Sequence, residues 1–244
     1  MAALRQGPIY DVSVEHRTIF VDGVDVPVVH ARPDGLPRAG LVLHPDIGGL
    51  RPLFEDMCRM LATHGLAVCA VEPFARTPAD RLTTIEDRLA SVKDLDDDVQ
   101  LGDLESAANL LIVEDDVARV SILGFCMGGY YTYKAAATDR YDAAVPFYGM
   151  LRTPDAWKGP GHKREPLDVA ADVCPTLAVF GSVDPWTPPA DIESLRSTWK
   201  QRDDCEVIVV EGGDHGFVHD PDRPAHRLED ATKCWQRAIE WVLP

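Results

Sequence analysis

Short apolar runs rich in β-branched residues alternate along this chain with longer stretches whose apolar positions fall at helical spacing. Phe20–Val29 has Val, Asp and Gly alternating and predicts a leading hairpin. Gly40–His44 is a short apolar strand that runs into the turn Pro45-Asp-Ile-Gly-Gly49. Arg51–His64 carries Leu53, Phe54, Met57, Met60 and Leu61 on one helical face, with Gly65 placed to end the helix. Leu66–Val71, Ala118–Leu123, Tyr141–Tyr148, Cys174–Phe180 and Cys205–Val210 predict further strands. Leu95–Val113, Tyr130–Ala137, Ala190–Gln201 and Pro224–Val242 predict helices. Pro73–Ser91 is mixed and polar and reads as a lid or surface segment.

Strands alternating with helices imply an α/β fold: a mainly parallel central sheet with helices on both faces. No linker rich in Pro, Gly or Ser divides the chain, and the alternation resumes after the loop Leu151–Val173, so one domain over 1–244 is expected. No internal repeat is visible.

Composition narrows the function classes. The formal net charge of −16 argues against nucleic acid or an anionic membrane as partner, and an anionic substrate would need a local cation. Arg5, Asp11, Glu15 and Arg17 interrupt the N-terminal stretch, so no signal-peptide core is read there and a cytoplasmic protein is expected. The six cysteines show neither C-x-x-C pairs nor zinc-type spacing and are expected to be free thiols. Cys58, Cys69, Cys174 and Cys234 read as small core residues, and Cys205 suggests no role. The acidic cluster Asp94–Asp98 opens a helix, where carboxylates complement the helix dipole, so a structural role is expected rather than a metal site.

Cys126 stands apart. It sits in Gly124-Phe-Cys-Met-Gly-Gly129, directly between a strand and a helix, in the G-x-nucleophile-x-G arrangement with cysteine in place of serine. Such an elbow places the sulfur at a helix N-terminus, which favours the thiolate, and aims the backbone N–H of Met127 at an oxygen on the bound substrate. A buried structural cysteine in a Gly-rich turn would look the same taken alone. The partners decide between the two readings. Asp184 lies in a turn just past one strand and His215 in the Gly-rich turn past the next, which is the order nucleophile, acid, histidine at strand ends. Asp214 is adjacent to His215 in the chain and would point elsewhere. His16, His30, His64, His162 and His226 lie away from strand ends.

These motifs resemble those of the dienelactone hydrolases, whose elbow reads G-x-C-x-G-G. Matching stretches are Gly124–Gly129, Val71–Arg76, Gly102–Ala107, Phe147–Gly149, Gly181–Asp184 and Gly213–Phe217, covering the chain from about Leu41 to its end. The resemblance implies the α/β-hydrolase fold and further roles. Asp46 stands where family members carry an acidic residue, typically Glu, that faces the cysteine and switches thiol to thiolate; by residue type alone it also reads as a turn former. The backbone N–H of Ile47 becomes the second oxyanion donor beside Met127. Arg76 matches an arginine that contacts a substrate carboxylate, and His219 occupies the place of the family's second such arginine.

The resulting expectation is a small-molecule ester or lactone hydrolase, monomeric or homodimeric, needing neither metal nor organic cofactor. Cys126 attacks, Asp184 orients His215, and water hydrolyses the thioester. The alternatives are a general carboxylesterase or thioesterase on the same fold, and a non-catalytic member that binds a small molecule or senses oxidants through Cys126.

Overall fold

The computed structural model describes residues 3–9 and 11–243. The ends of the expected 1–244 domain (positions 1, 2 and 244) and position 10 lie outside the described residues. The chain opens with β1 (Val12–Val21) and β2 (Val24–Pro33), then β3 (Ala39–His44), α1 (Pro52–Ala62), β4 (Leu66–Val71), α2 (Ile85–Ser91) and α3 (Asp97–Glu114). Next come β5 (Val120–Phe125), α4 (Met127–Ala136), β6 (Ala144–Phe147), α5 (Pro166–Val169), β7 (Thr176–Gly181), α6 (Pro189–Thr198), β8 (Cys205–Val210) and α7 (Leu228–Val242). The eight strands form one sheet in the order β1-β2-β4-β3-β5-β6-β7-β8. β1 and β2 pair antiparallel to each other, β2 pairs antiparallel to β4, and every other pairing is parallel.

Alternation along the central strands builds two cores. Val42 of β3 packs on one face with Leu104 of α3, Tyr130 of α4 and Leu195 of α6. Its neighbours Leu41 and Leu43 face the other side with Phe54 of α1 and Trp235 of α7. The fit of α7 follows from spacing: Ala231, Cys234, Trp235, Ala238 and Val242 make one buried stripe at the 3–4 residue interval of a helix. Each large apolar side chain seated this way contributes about 1.5–3 kcal/mol.

The structure extends some expected elements and shortens others. The hairpin turn is at Asp22-Gly23, both at positive φ (48° and 81°), but its strands are ten residues each. The strand expected over Tyr141–Tyr148 is only Ala144–Phe147: it starts three residues later, and it stops before Tyr148, which leaves extended geometry at φ 37°. Within the expected lid segment, Thr84 caps α2 through a reciprocal pair of bonds with Asp87, 3.0 and 3.1 Å. No helix among the described residues is long and apolar enough to cross a membrane.

Candidate active site

The parallel strands end on one edge of the sheet, and the turns that follow them carry the candidate residues Cys126, Asp184 and His215. After β5 the backbone reverses into α4 at Cys126, a non-glycine residue at φ 55°, ψ −115°. That strain is tolerated because the turn is pinned from both sides: Cys126 N–H donates to Phe147 O at 3.1 Å, and its carbonyl accepts from Tyr130 N–H at 2.9 Å. A side chain at Gly128 would collide with the carbonyl oxygens of His44 and Pro45, so only glycine lets the elbow press against the loop after β3. The elbow and that loop are therefore neighbours by necessity.

Asp184 follows β7 and His215 follows β8. His215 Nδ1 donates to Asp184 Oδ2 at 2.8 Å, and Asp184 Oδ1 accepts the Trp186 N–H at 2.8 Å. The Asp184 carboxylate has no solvent exposure. This bond assigns the Nδ1–H tautomer and leaves Nε2 for the sulfur. Burial pulls the His215 pKa down, but the Cys126 sulfur, by charge and hydrogen bond, and the Asp184 bond outweigh it and carry it up to about 10. Asp214 turns back on the chain and accepts the His215 backbone N–H at 2.7 Å, so it does not compete for the imidazole. Tyr148 meets the His215 ring edge-on at 5.2 Å, and Trp186 lies 6.2 Å away on another side. The expected Cys126, Asp184 and His215 thus come together.

Cys126 and His215 line a cavity of about 530 Å³, with Asp184 buried behind the histidine. Its walls include Ile47 and Gly48 from the loop after β3, Ile85 and Leu89 from α2, Met150, Trp157 and Trp186. Trp157 and Trp186 stack with ring centroids 6.3 Å apart. Met127 begins α4, and among the described residues no hydrogen bond engages the backbone N–H of Ile47 or of Met127. A larger groove of about 890 Å³ beside α7 is lined by none of Cys126, Asp184 and His215.

Three expected contacts are corrected. Arg76 is not among the residues lining the cavity; its guanidinium makes a two-point ion pair with Asp103 on α3 and reaches Val21 O at 3.3 Å. His219 is buried, not a group that meets substrate: its Nε2 lies 2.8 Å from Asp46 Oδ2 and its Nδ1 bonds Tyr148 Oη. Asp46 does line the cavity, yet its carboxylate accepts from Arg51 Nη1 and Nη2 at 2.6 and 2.9 Å and from Gly48 N–H at 2.8 Å, as well as from His219. Among the described residues it makes no hydrogen bond to Cys126. Two cations facing the cavity, Arg51 and Arg223, were not singled out from sequence, nor were the two tryptophans. Arg51 is five residues after Asp46 and Arg223 eight after His215, so a search for cations near the predicted strand-end turns would have found both.

Residues 26–243 match the Dienelactone hydrolase family. The chain belongs to that family. It is a hydrolase of the dienelactone hydrolase family with an α/β-hydrolase fold, and its relatives agree. A protein of Escherichia coli O157:H7 named for carboxymethylenebutenolidase is 32% identical over 231 residues, covering 90% of this chain and 82% of that one. The carboxymethylenebutenolidase of Rhodococcus opacus is 26% identical, covering 88% and 85%. A crystal structure from Klebsiella pneumoniae subsp. pneumoniae of a protein named for dienelactone hydrolase superposes with TM-score 0.88 at 28% identity, over 96% of this chain and 99% of that one.

Proposed function

We propose that this member of the dienelactone hydrolase family hydrolyses a small ester or lactone through a thioester on Cys126. The observation that carries the reading is the strained Cys126 turn at the start of α4, beside a His215 that is itself held by Asp184 at 2.8 Å. The sulfur attacks the substrate carbonyl, and the N–H groups of Ile47 and Met127 hold the tetrahedral oxyanion. Protonated His215 gives its proton to the departing alkoxide, which leaves as an alcohol or remains tethered as the opened lactone. His215, now neutral, takes a proton from water as the water attacks the thioester, and collapse returns the sulfur and the acid product. Asp184 keeps the imidazole in the tautomer this cycle needs.

The cavity walls bear on substrate shape. Trp157 and Trp186 present stacked faces suited to a flat, conjugated acyl or aryl group, and about 530 Å³ suits a small molecule rather than a peptide. Arg223 makes no ion pair among the described residues, so a carboxylate on the substrate would meet it rather than Arg76. A panel of lactones, aryl esters and thioesters, assayed with Cys126→Ala as control, tests the proposal. Turnover on at least one ester or lactone that is lost in the variant is expected. Reversible oxidation of Cys126 with no turnover on any member of the panel would favour a thiol sensor instead.

A further inference from the structure

The catalytic cycle leaves one buried polar chain at the edge of the cavity unused. It runs from Arg51 through Asp46 and His219 to Tyr148 and joins segments far apart in sequence. Its proton positions follow from the bonding. Tyr148 Oη has a proton to give and His219 Nδ1 can accept it, so His219 Nε2 carries the imidazole proton and donates it to Asp46. The Asp46 carboxylate then accepts four bonds, from His219, twice from Arg51, and from Gly48 N–H. Burial opposes its charge, yet the His219 and Arg51 bonds outweigh burial and hold Asp46 well below the usual carboxylate range. Burial keeps His219 below its ordinary pKa, although Asp46 opposes this. Burial likewise keeps the Tyr148 phenol well above its own. A carboxylate so saturated is a poor acceptor for a proton from sulfur.

What the chain does touch is the geometry of the reaction. The Asp46 bond to Gly48 N–H closes a turn around Ile47, and Gly49 N–H donates to Asp46 O at 3.0 Å in the same loop. The His219 ring stacks 4.7 Å from Phe125, the residue before the nucleophile. The Tyr148 ring, whose hydroxyl holds His219, also meets His215 edge-on. One buried histidine thus links the oxyanion loop, the elbow and the loop carrying the base.

We propose that Tyr148 and His219 are positioning residues that lock Asp46, and through its bond to Gly48 hold the Ile47 N–H at the oxyanion site. In this chain the carboxylate at position 46 serves the transition state and does not gate the thiol. The inference rests on the thioester reading above.

The test uses His219→Leu, His219→Gln and Asp46→Asn in the full-length protein, with p-nitrophenyl acetate as probe and thermal unfolding to select folded variants. Losing one oxyanion donor outright costs about 100–1,000-fold in kcat. A displaced donor costs less, so His219→Leu is expected to lower kcat about 10–100-fold with KM within about twofold. Gln can accept from Tyr148 and donate to Asp46 through one amide, so His219→Gln should recover most of that loss. The pH profile of Cys126 alkylation by iodoacetamide should overlay the wild type in every variant. Wild-type kcat in His219→Leu, or a Gln variant no better than Leu, overturns the proposal. So does an alkylation profile displaced toward lower pH in Asp46→Asn, since that marks a carboxylate facing sulfur. If His219→Leu does not fold, Asp46→Asn carries the test: reduced kcat with unchanged alkylation supports the relay, and unchanged kcat sinks it. Cys126→Ala separates the two levels. Turnover persisting in that variant removes the thioester reading and the relay with it, whereas turnover lost there but wild-type in His219→Leu removes the relay alone.

Discussion

Arg76 closes a two-point ion pair with Asp103, and that pairing takes it away from the cavity that holds Cys126. Asp103 is buried on α3, and moving the guanidinium toward substrate would strand its carboxylate in the core. On the proposed function, a substrate carboxylate would meet Arg223, in the turn after His215, because Arg51, the other arginine lining the cavity, is held by Asp46. For matched carboxylate-bearing and neutral esters, Arg223→Ala is expected to lower the ratio of their kcat/KM values about 3–10-fold, the worth of one partly solvated charge contact. Arg76→Ala should leave that ratio unchanged. A ratio that responds to Arg76 and ignores Arg223 would reverse the assignment.

The pairing of His215 with Asp184 makes a prediction about pH. The folded histidine holds its proton until about 10, because Cys126 and Asp184 outweigh the burial that opposes it. The alkaline limb of kcat/KM is expected near that value. Removing the carboxylate charge lowers the histidine pKa, so Asp184→Asn should move the limb to lower pH and reduce kcat about 100-fold or more. The same raised pKa adds stability that is complete below about pH 6.5, where the unfolded histidine is also protonated, and is lost as pH rises through about 10. A limb that stays in place in the Asn variant would contradict the assignment.

Below the cavity, Lys134 and Asp97 form a buried ion pair at 2.6 and 2.8 Å, and Lys134 also donates to Tyr130 Oη at 2.7 Å. Tyr130 bonds Thr153 and meets Trp157 edge-on, so the pair supports the loop that walls the cavity. Lys134→Met leaves Asp97 buried without its cation and should cost about 3–5 kcal/mol in urea unfolding, with a lower kcat/KM in the fraction that stays folded. A loss under about 1 kcal/mol would mean that other donors, such as Lys163 N–H at 2.8 Å, suffice for Asp97.

What could be read from sequence was the part that local chemistry dictates. Glycines around Cys126, and turns directly after apolar runs at Asp184 and His215, fix where those side chains emerge, and the structure brings the three together. The alternation of strand and helix gave the parallel sheet for the same reason. The roles of Arg76 and His219 were not legible, because a long or polar side chain can turn either way. Its partner lies 27 residues away for Arg76 and 173 for His219, and no local pattern announces either. The early end of β6 is of the same kind. Tyr148 reads as a strand residue, but it bends at φ 37° and its hydroxyl reaches His219 on the far loop. The buried pair of Lys134 with Asp97 joins α4 to the acidic start of α3, 37 residues away, and no local pattern announces it either.

A covalent bond between substrate and Cys126 would be caught by rapid acid quench with peptide mapping. After mixing with p-nitrophenyl acetate, one acetyl group should appear on the peptide carrying Cys126, decay no slower than turnover, and be absent in Cys126→Ala. An acetyl group on any other residue during turnover, or turnover undiminished in Cys126→Ala, would rule out the Cys126 thioester.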